Sequence, residues 1–162
     1  MITHATDPER QMLRHTIATL AYRGGKAIRG APESFSSFAI GEKPKTPGQI
    51  LAHIGDLLDW ALTQVDGEEK WNNSDPRSWE EDSARFHAAL AKLDARLASG
   101  ANISESATKI FQGAIADALT HVGQINMLRR LAGVPIKAEN YHRADISAGR
   151  VGADQANPKR EF

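Results

Sequence analysis

Three side chains in this sequence are of types that hold a divalent metal ion, and each falls in a stretch of helical apolar spacing: His53, Asp117 and His121. Asp117 and His121 stand four residues apart. At about 100° per residue they project within roughly 40° of one another, on the face of Ile110, Ala114 and Leu128 with Gln124 on the same edge. Side chains four apart on a helix have Cβ atoms about 6 Å apart, near enough to grip one ion. On that spacing alone, a buried Asp–His hydrogen-bonded pair without metal is the plainer reading, since a buried polar group needs only a partner. His53 lies one turn from Leu57 at the margin of a second apolar face, where a lone histidine is ordinarily a satisfied boundary residue. Taken together the three are more suggestive, because two histidines and a carboxylate are an open-site ligand set for a first-row divalent metal. Helix bundles build such sites from facing helices.

The remaining candidates carry weaker signals. His142 sits in the polar run Asn140-Tyr141-His142-Arg143-Ala144-Asp145, which either folds back as a lid or ligand or is an exposed tail. His4, His15 and His87 read as solvated faces, and Trp60, Trp71 and Trp79 as core or loop anchors. Arg129 and Arg130 suit the negative end of a helix macrodipole. No cysteine is present, so disulfides, thiolate ligands and a protein-borne thiol nucleophile are excluded.

Helices must position these groups. Asp7 is an N-cap followed by Pro8, and Leu13, Ile17 and Leu20 recur at helical spacing until Gly24-Gly25 weakens or ends the pattern. Residues 27–45, with Gly30, Pro32, Gly41 and Pro44, read as a long connection of the kind that is either a functional lid or disordered. Thr46-Pro47-Gly48-Gln49 is a capping-box start, and the apolar face from Ile50 to Val65 stops at Gly67. Ser78 with Glu81 opens a third helix, whose stripe of Trp79, Phe86, Leu90, Leu93 and Leu97 ends before Gly100. A fourth helix is expected to open near Asn102, with Glu105 three residues on, and to run to Gly133. Residues 136–162 lack strong periodicity.

Four long helices without a strand pattern predict an all-α four-helix bundle, one domain over 1–162 with the bundle at about 7–133. Helices one and two, joined by the longest connection, need not be neighbours. A chain of 162 residues suits one core, and at this size roughly two-thirds of the unfolded surface is buried without staples. Lys plus Arg and Asp plus Glu number 20 each, so no field of one sign draws in nucleic acid or an anionic membrane. The polar N-terminal residues 1–10 and the lack of any long apolar run make a soluble, cytoplasmic protein the expectation.

Two stretches carry a resemblance. Thr46-Pro47-Gly48-Gln49-Ile50-Leu51-Ala52-His53-Ile54-Gly55-Asp56-Leu57-Leu58 is similar to the second-helix signature of the DinB-like (DinB/YfiT-like) family. Asp117-Ala118-Leu119-Thr120-His121-Val122-Gly123-Gln124-Ile125-Asn126-Met127-Leu128-Arg129-Arg130 resembles its fourth-helix signature. The resemblance covers residues 7–133 and implies a four-helix bundle holding a divalent ion (zinc, nickel, iron or manganese). His53 and His121 match two ligand positions. Where the family often has a third histidine this chain has Asp117, so the implied set is two histidines and one carboxylate. The family includes transferases and isomerases that use low-molecular-weight thiols, and homodimers are common in it. The resemblance therefore implies a metal-dependent transferase acting on a small-molecule substrate. On that reading Gln124 is expected near the substrate, together with Tyr141, His142 and Arg143 from the tail, which the resemblance does not cover. Metal-dependent hydrolysis is one alternative, and a stress-related bundle with a structural metal or none is the other.

Overall fold

The structure, a computed structural model, describes residues 7–162, so His4 lies outside the described residues. The described chain is all-helical, with no strand beyond one isolated bridge. Helix α1 spans Pro8–Ile28, α2 Pro47–Asp66 and α3 Trp79–Ala98. The fourth helix is a composite of α4 (Ala107–Ile110), a π-helical turn (Phe111–Ile115) and α5 (Ala116–Leu131). α1 packs on α3 and the fourth helix, and α2 packs on the same two, so α1 and α2 occupy opposite corners. Between them lies one core, built from Leu13, Ile17 and Leu20, Ile54 and Leu58, Phe86 and Leu90, and Ile110, Ile115 and Ile125. Among the described residues no helix is long and apolar enough to cross a membrane.

The first three expected helix starts hold. Asp7 caps α1, and complete capping boxes, Thr46 with Gln49 and Ser78 with Glu81, open α2 and α3. Gly67 closes α2 in the left-handed region at φ 81°.

Helix one differs from expectation, since it runs through Gly24-Gly25 to Ile28. Gly24 is there for contact. A Cβ on it would come 2.5 Å from Cζ of the buried Phe86 ring, so only glycine lets α1 and α3 approach this closely. The free carbonyls at the end of α1 are not left to water. Arg129, 5% exposed, reaches across from α5 and donates to the Ala27 and Arg29 carbonyls at 2.8 and 2.7 Å. Buried Arg10 does the same for α3, donating to the Leu97 and Ala101 carbonyls at 3.1 and 2.9 Å. Arg129 thus serves the end of a neighbouring helix, and it is not free to bind an anion.

The first part of the connection after α1 is ordered packing, while residues 39–45 run exposed over the surface. A 3₁₀ turn, Glu33–Ser37, drives Phe35 into the core against Trp79 with ring centres 5.4 Å apart, and Glu33 accepts from the Trp79 amide at 3.0 Å. The fourth helix opens later than Asn102, with Ser106 as its N-cap. Residues before it are committed elsewhere: the Ser104 amide donates to the Val65 carbonyl and Arg96 donates to the Asn102 carbonyl.

The C-terminal segment folds back over the bundle. The Glu139 carboxylate is fully buried between the Tyr22 hydroxyl at 2.5 Å and the Lys26 ammonium at 2.7 Å, and Glu139 bridges to Glu161. Further on, buried Val151 presents its carbonyl to His87 Nδ1 at 3.4 Å. His87 is therefore covered by this segment, where the sequence suggested a solvated side chain. His15 is exposed as expected.

Candidate metal centre

His53 sits two turns into α2, beyond the Thr46 capping box that fixes where the helix begins. Asp117 and His121 follow the π-helical turn on the helix opposite. A π turn holds one residue more than an α turn, so it rotates everything after it. Ala118, Val122, Ile125 and Arg129 then form the buried stripe of α5, and Asp117 and His121 move from the centre of the apolar face to its margin. The side chains of His53, Asp117 and His121 are 27%, 48% and 12% exposed. All three expected ligands meet at the α2–α5 seam.

Their donor atoms lie within 4.8 Å of one another. Asp117 Oδ2 is 3.8 Å from His53 Nε2, and its Oδ1 is 3.4 Å from His121 Nε2. The two imidazoles meet edge to face, with centroids 4.8 Å apart and planes at 89°. Among the described residues no hydrogen bond closes between Asp117 and either ring. Asp117 and His121 nevertheless stand at ion-pair distance, so the Asp–His pairing that spacing alone suggested is present as a close contact and not as a hydrogen bond. The hydrogen bond His121 does make goes the other way, from Nδ1 to the Gln124 side-chain oxygen at 2.7 Å. With Nδ1 donating, Nε2 keeps its lone pair on the side facing Asp117 and His53. Gln124 thus orients an imidazole through its side-chain oxygen, while its exposed amide nitrogen is turned to no protein acceptor among the hydrogen bonds of the described residues.

Electrostatics keep His53 a neutral donor. Burial pushes its pKa below the ordinary 6.5, and the facing His121 and nearby Lys45 push the same way against Asp117 and Asp56. Two nitrogen lone pairs and one carboxylate, facing each other unbonded, fit the chemistry of a late first-row divalent ion.

One wall of the site was not foreseen. The Trp71 ring lies 5.6 Å from His53 and 5.8 Å from Trp60, nearly perpendicular to the latter. Trp71 belongs to the polar loop between α2 and α3, which Asp56 ties down. That buried carboxylate accepts from the Ser74 amide at 2.8 Å and hydroxyl at 2.7 Å, and pairs with Arg85 at 2.7 Å. Trp79, by contrast, is the core anchor expected of it.

Tyr141, His142 and Arg143 are brought to α1 instead. The Tyr141 ring packs edge-on against Tyr22 with the Arg23 guanidinium 4.2 Å above it, and His142 and Arg143 are exposed. No hydrogen bond, ion pair or ring contact joins that segment to His53, Asp117 or His121 among the described residues. No protein-family model, curated protein or solved structure matches this chain.

Proposed function

We propose that this chain is a DinB-like bundle in which His53, Asp117 and His121 hold a divalent first-row metal, and that it transfers a low-molecular-weight thiol to a small electrophile. The observation that carries the reading is the convergence of three unbonded donors from two helices, one of them oriented by Gln124. Orienting partners of this kind accompany metal-binding histidines generally. A divalent ion in such a site lowers the pKa of a coordinating thiol, which makes a nucleophile available at neutral pH.

The chain's own residues define the rest. With no cysteine in the sequence, the sulfur must arrive with a cosubstrate. In the net reaction a sulfur–carbon bond forms, the leaving group departs with its bonding pair, and the thiol proton is released to solvent. Asp117, about half exposed, keeps the seam open to that solvent, while Trp71 covers the His53 side. A purely structural ion is ordinarily closed by four protein ligands. Three donors meet here, which favours an open position and therefore chemistry.

The test is a conjugation assay with untagged protein, a chromogenic aryl halide and several small thiols, with and without added divalent metal. Metal-dependent acceleration with at least one thiol is expected. Ester or amide hydrolysis without conjugation would replace this reading by a hydrolase. Silence in both assays, with a tightly held ion, would make the metal structural.

A further inference from the structure

Beside the three donors a groove of about 440 Å³ runs along the α2–α5 seam, and its chemistry differs from theirs. Leu57 and the Trp60 indole form one wall, Gly113 and Ala116 the other, and Asp117 lies among the lining residues. A Cβ built on Gly113 would touch the edge of the Trp60 ring, 3.8 Å from Cζ3, so a larger side chain there would cover part of that ring. Asp117 is the only ionisable group among the lining residues, and the remaining polar groups are the neutral Gln112 and Thr120.

Charge narrows the occupant. Without metal, the Asp117 carboxylate repels an anion. With a divalent ion bound, two neutral histidines and one carboxylate leave the centre net positive, which repels a cation. A coordinating thiolate cosubstrate would cancel that remaining charge, so an uncharged electrophile meets no net field from the centre in the working state. A flat ring suits an indole wall, which favours stacked or edge-on aromatic partners.

We infer that this groove is the subsite for the electrophile, an uncharged small molecule with a flat apolar body lying along Trp60 and its reactive end toward Asp117. This rests on the thiol-transfer reading for the word electrophile, but the binding itself does not need metal. Trp60 and Gly113 then determine specificity, while His53, Asp117 and His121 hold the ion.

The test uses three probes of one shape, benzyl alcohol, benzoate and benzylamine, titrated by ligand-observed NMR against the full chain in chelator-treated and metal-loaded forms. Benzyl alcohol is expected to bind both forms with similar affinity. Gly113→Leu, which covers the Trp60 ring edge, is expected to weaken it about tenfold or more. Because leucine in the π turn can perturb the helix, Trp60→Leu serves as a second variant and should weaken benzyl alcohol likewise. Unchanged binding in both variants, a preference for benzoate or benzylamine in both forms, or no binding of benzyl alcohol would overturn the subsite. Failure of the metal reading shows separately, as benzyl alcohol binding with no ion retained.

Discussion

Gln124 tests the site more sharply than any ligand does, because it touches the centre only through His121. If its role is to hold the imidazole with Nε2 free, Gln124→Leu should lower metal affinity by about 10- to 100-fold. Gln124→Glu, which still accepts from Nδ1, should retain it. Competitive chelator titration reads both, and equal affinities for the two would show that His121 needs no orienter. At Asp117, removal to alanine should weaken binding, whereas Asp117→His should keep or strengthen binding of a late first-row ion. Unchanged affinity in the alanine variant would remove Asp117 from the ligand set. These three residues were legible in the sequence because each is polar at an otherwise apolar helical register. Trp71 was not, because it lies in a polar loop without periodicity and meets His53 only through the long-range grip of Asp56 on Ser74. Tyr141-His142-Arg143 looked functional from composition alone, and composition carries no information about which helix a tail lies on.

Adjacent glycines in α1 separate local propensity from packing. Read as a pair, Gly24-Gly25 looks like a helix stop, yet the helix continues because Phe86 occupies the space beside Gly24. Gly24→Ala gains up to about 1 kcal/mol of helix propensity but overpacks the ring, which costs about 1–3 kcal/mol. At Gly25 the nearest atom to a new Cβ is the end of the flexible Arg29 side chain at 3.4 Å. Gly25→Ala should therefore raise the melting temperature and Gly24→Ala lower it; the same sign for both would mean that packing does not decide here. Capping boxes are short-range and were legible at Thr46 and Ser78. The π-helical turn was not, since nothing in Phe111-Gln112-Gly113-Ala114-Ile115 marks an extra residue, and its effect is to set the exposure of residues that follow it.

For the molecule as a whole, the C-terminal segment is a working part of the fold, and His87 reports on it. Burial beneath Val151 pushes the His87 pKa below its ordinary 6.5, Arg29 adds to this, and the Val151 carbonyl opposes it. A histidine held low takes up its proton in the unfolded chain before the folded one. Its contribution is therefore intact above the ordinary value and is lost as pH falls from there toward the lower folded value. Urea unfolding at about pH 7.5 and about pH 5.5, either side of the ordinary value, should show a loss of stability that His87→Gln reduces. A loss of equal size in the variant would assign the acid sensitivity to other groups.

The all-helical class follows from apolar periodicity and helix caps, whereas the opposite placement of α1 and α2 was expected only as far as their not needing to be neighbours. The meeting of His53 with Asp117 and His121 was expected from the way bundles build sites on facing helices and from the resemblance. The path of residues 134–162 depends on single buried contacts such as Glu139 with Tyr22 and Lys26, which no local pattern announces. What remains central is whether the three donors hold an ion. Cobalt(II) titration of untagged, chelator-treated protein measures this directly, since its visible bands report coordination by nitrogen and oxygen donors. One equivalent per chain should bind with ligand-field bands, and both His53→Ala and His121→Ala should abolish those bands while the protein stays folded. Bands of undiminished intensity in both variants, or none in the parent protein, would contradict the metal centre.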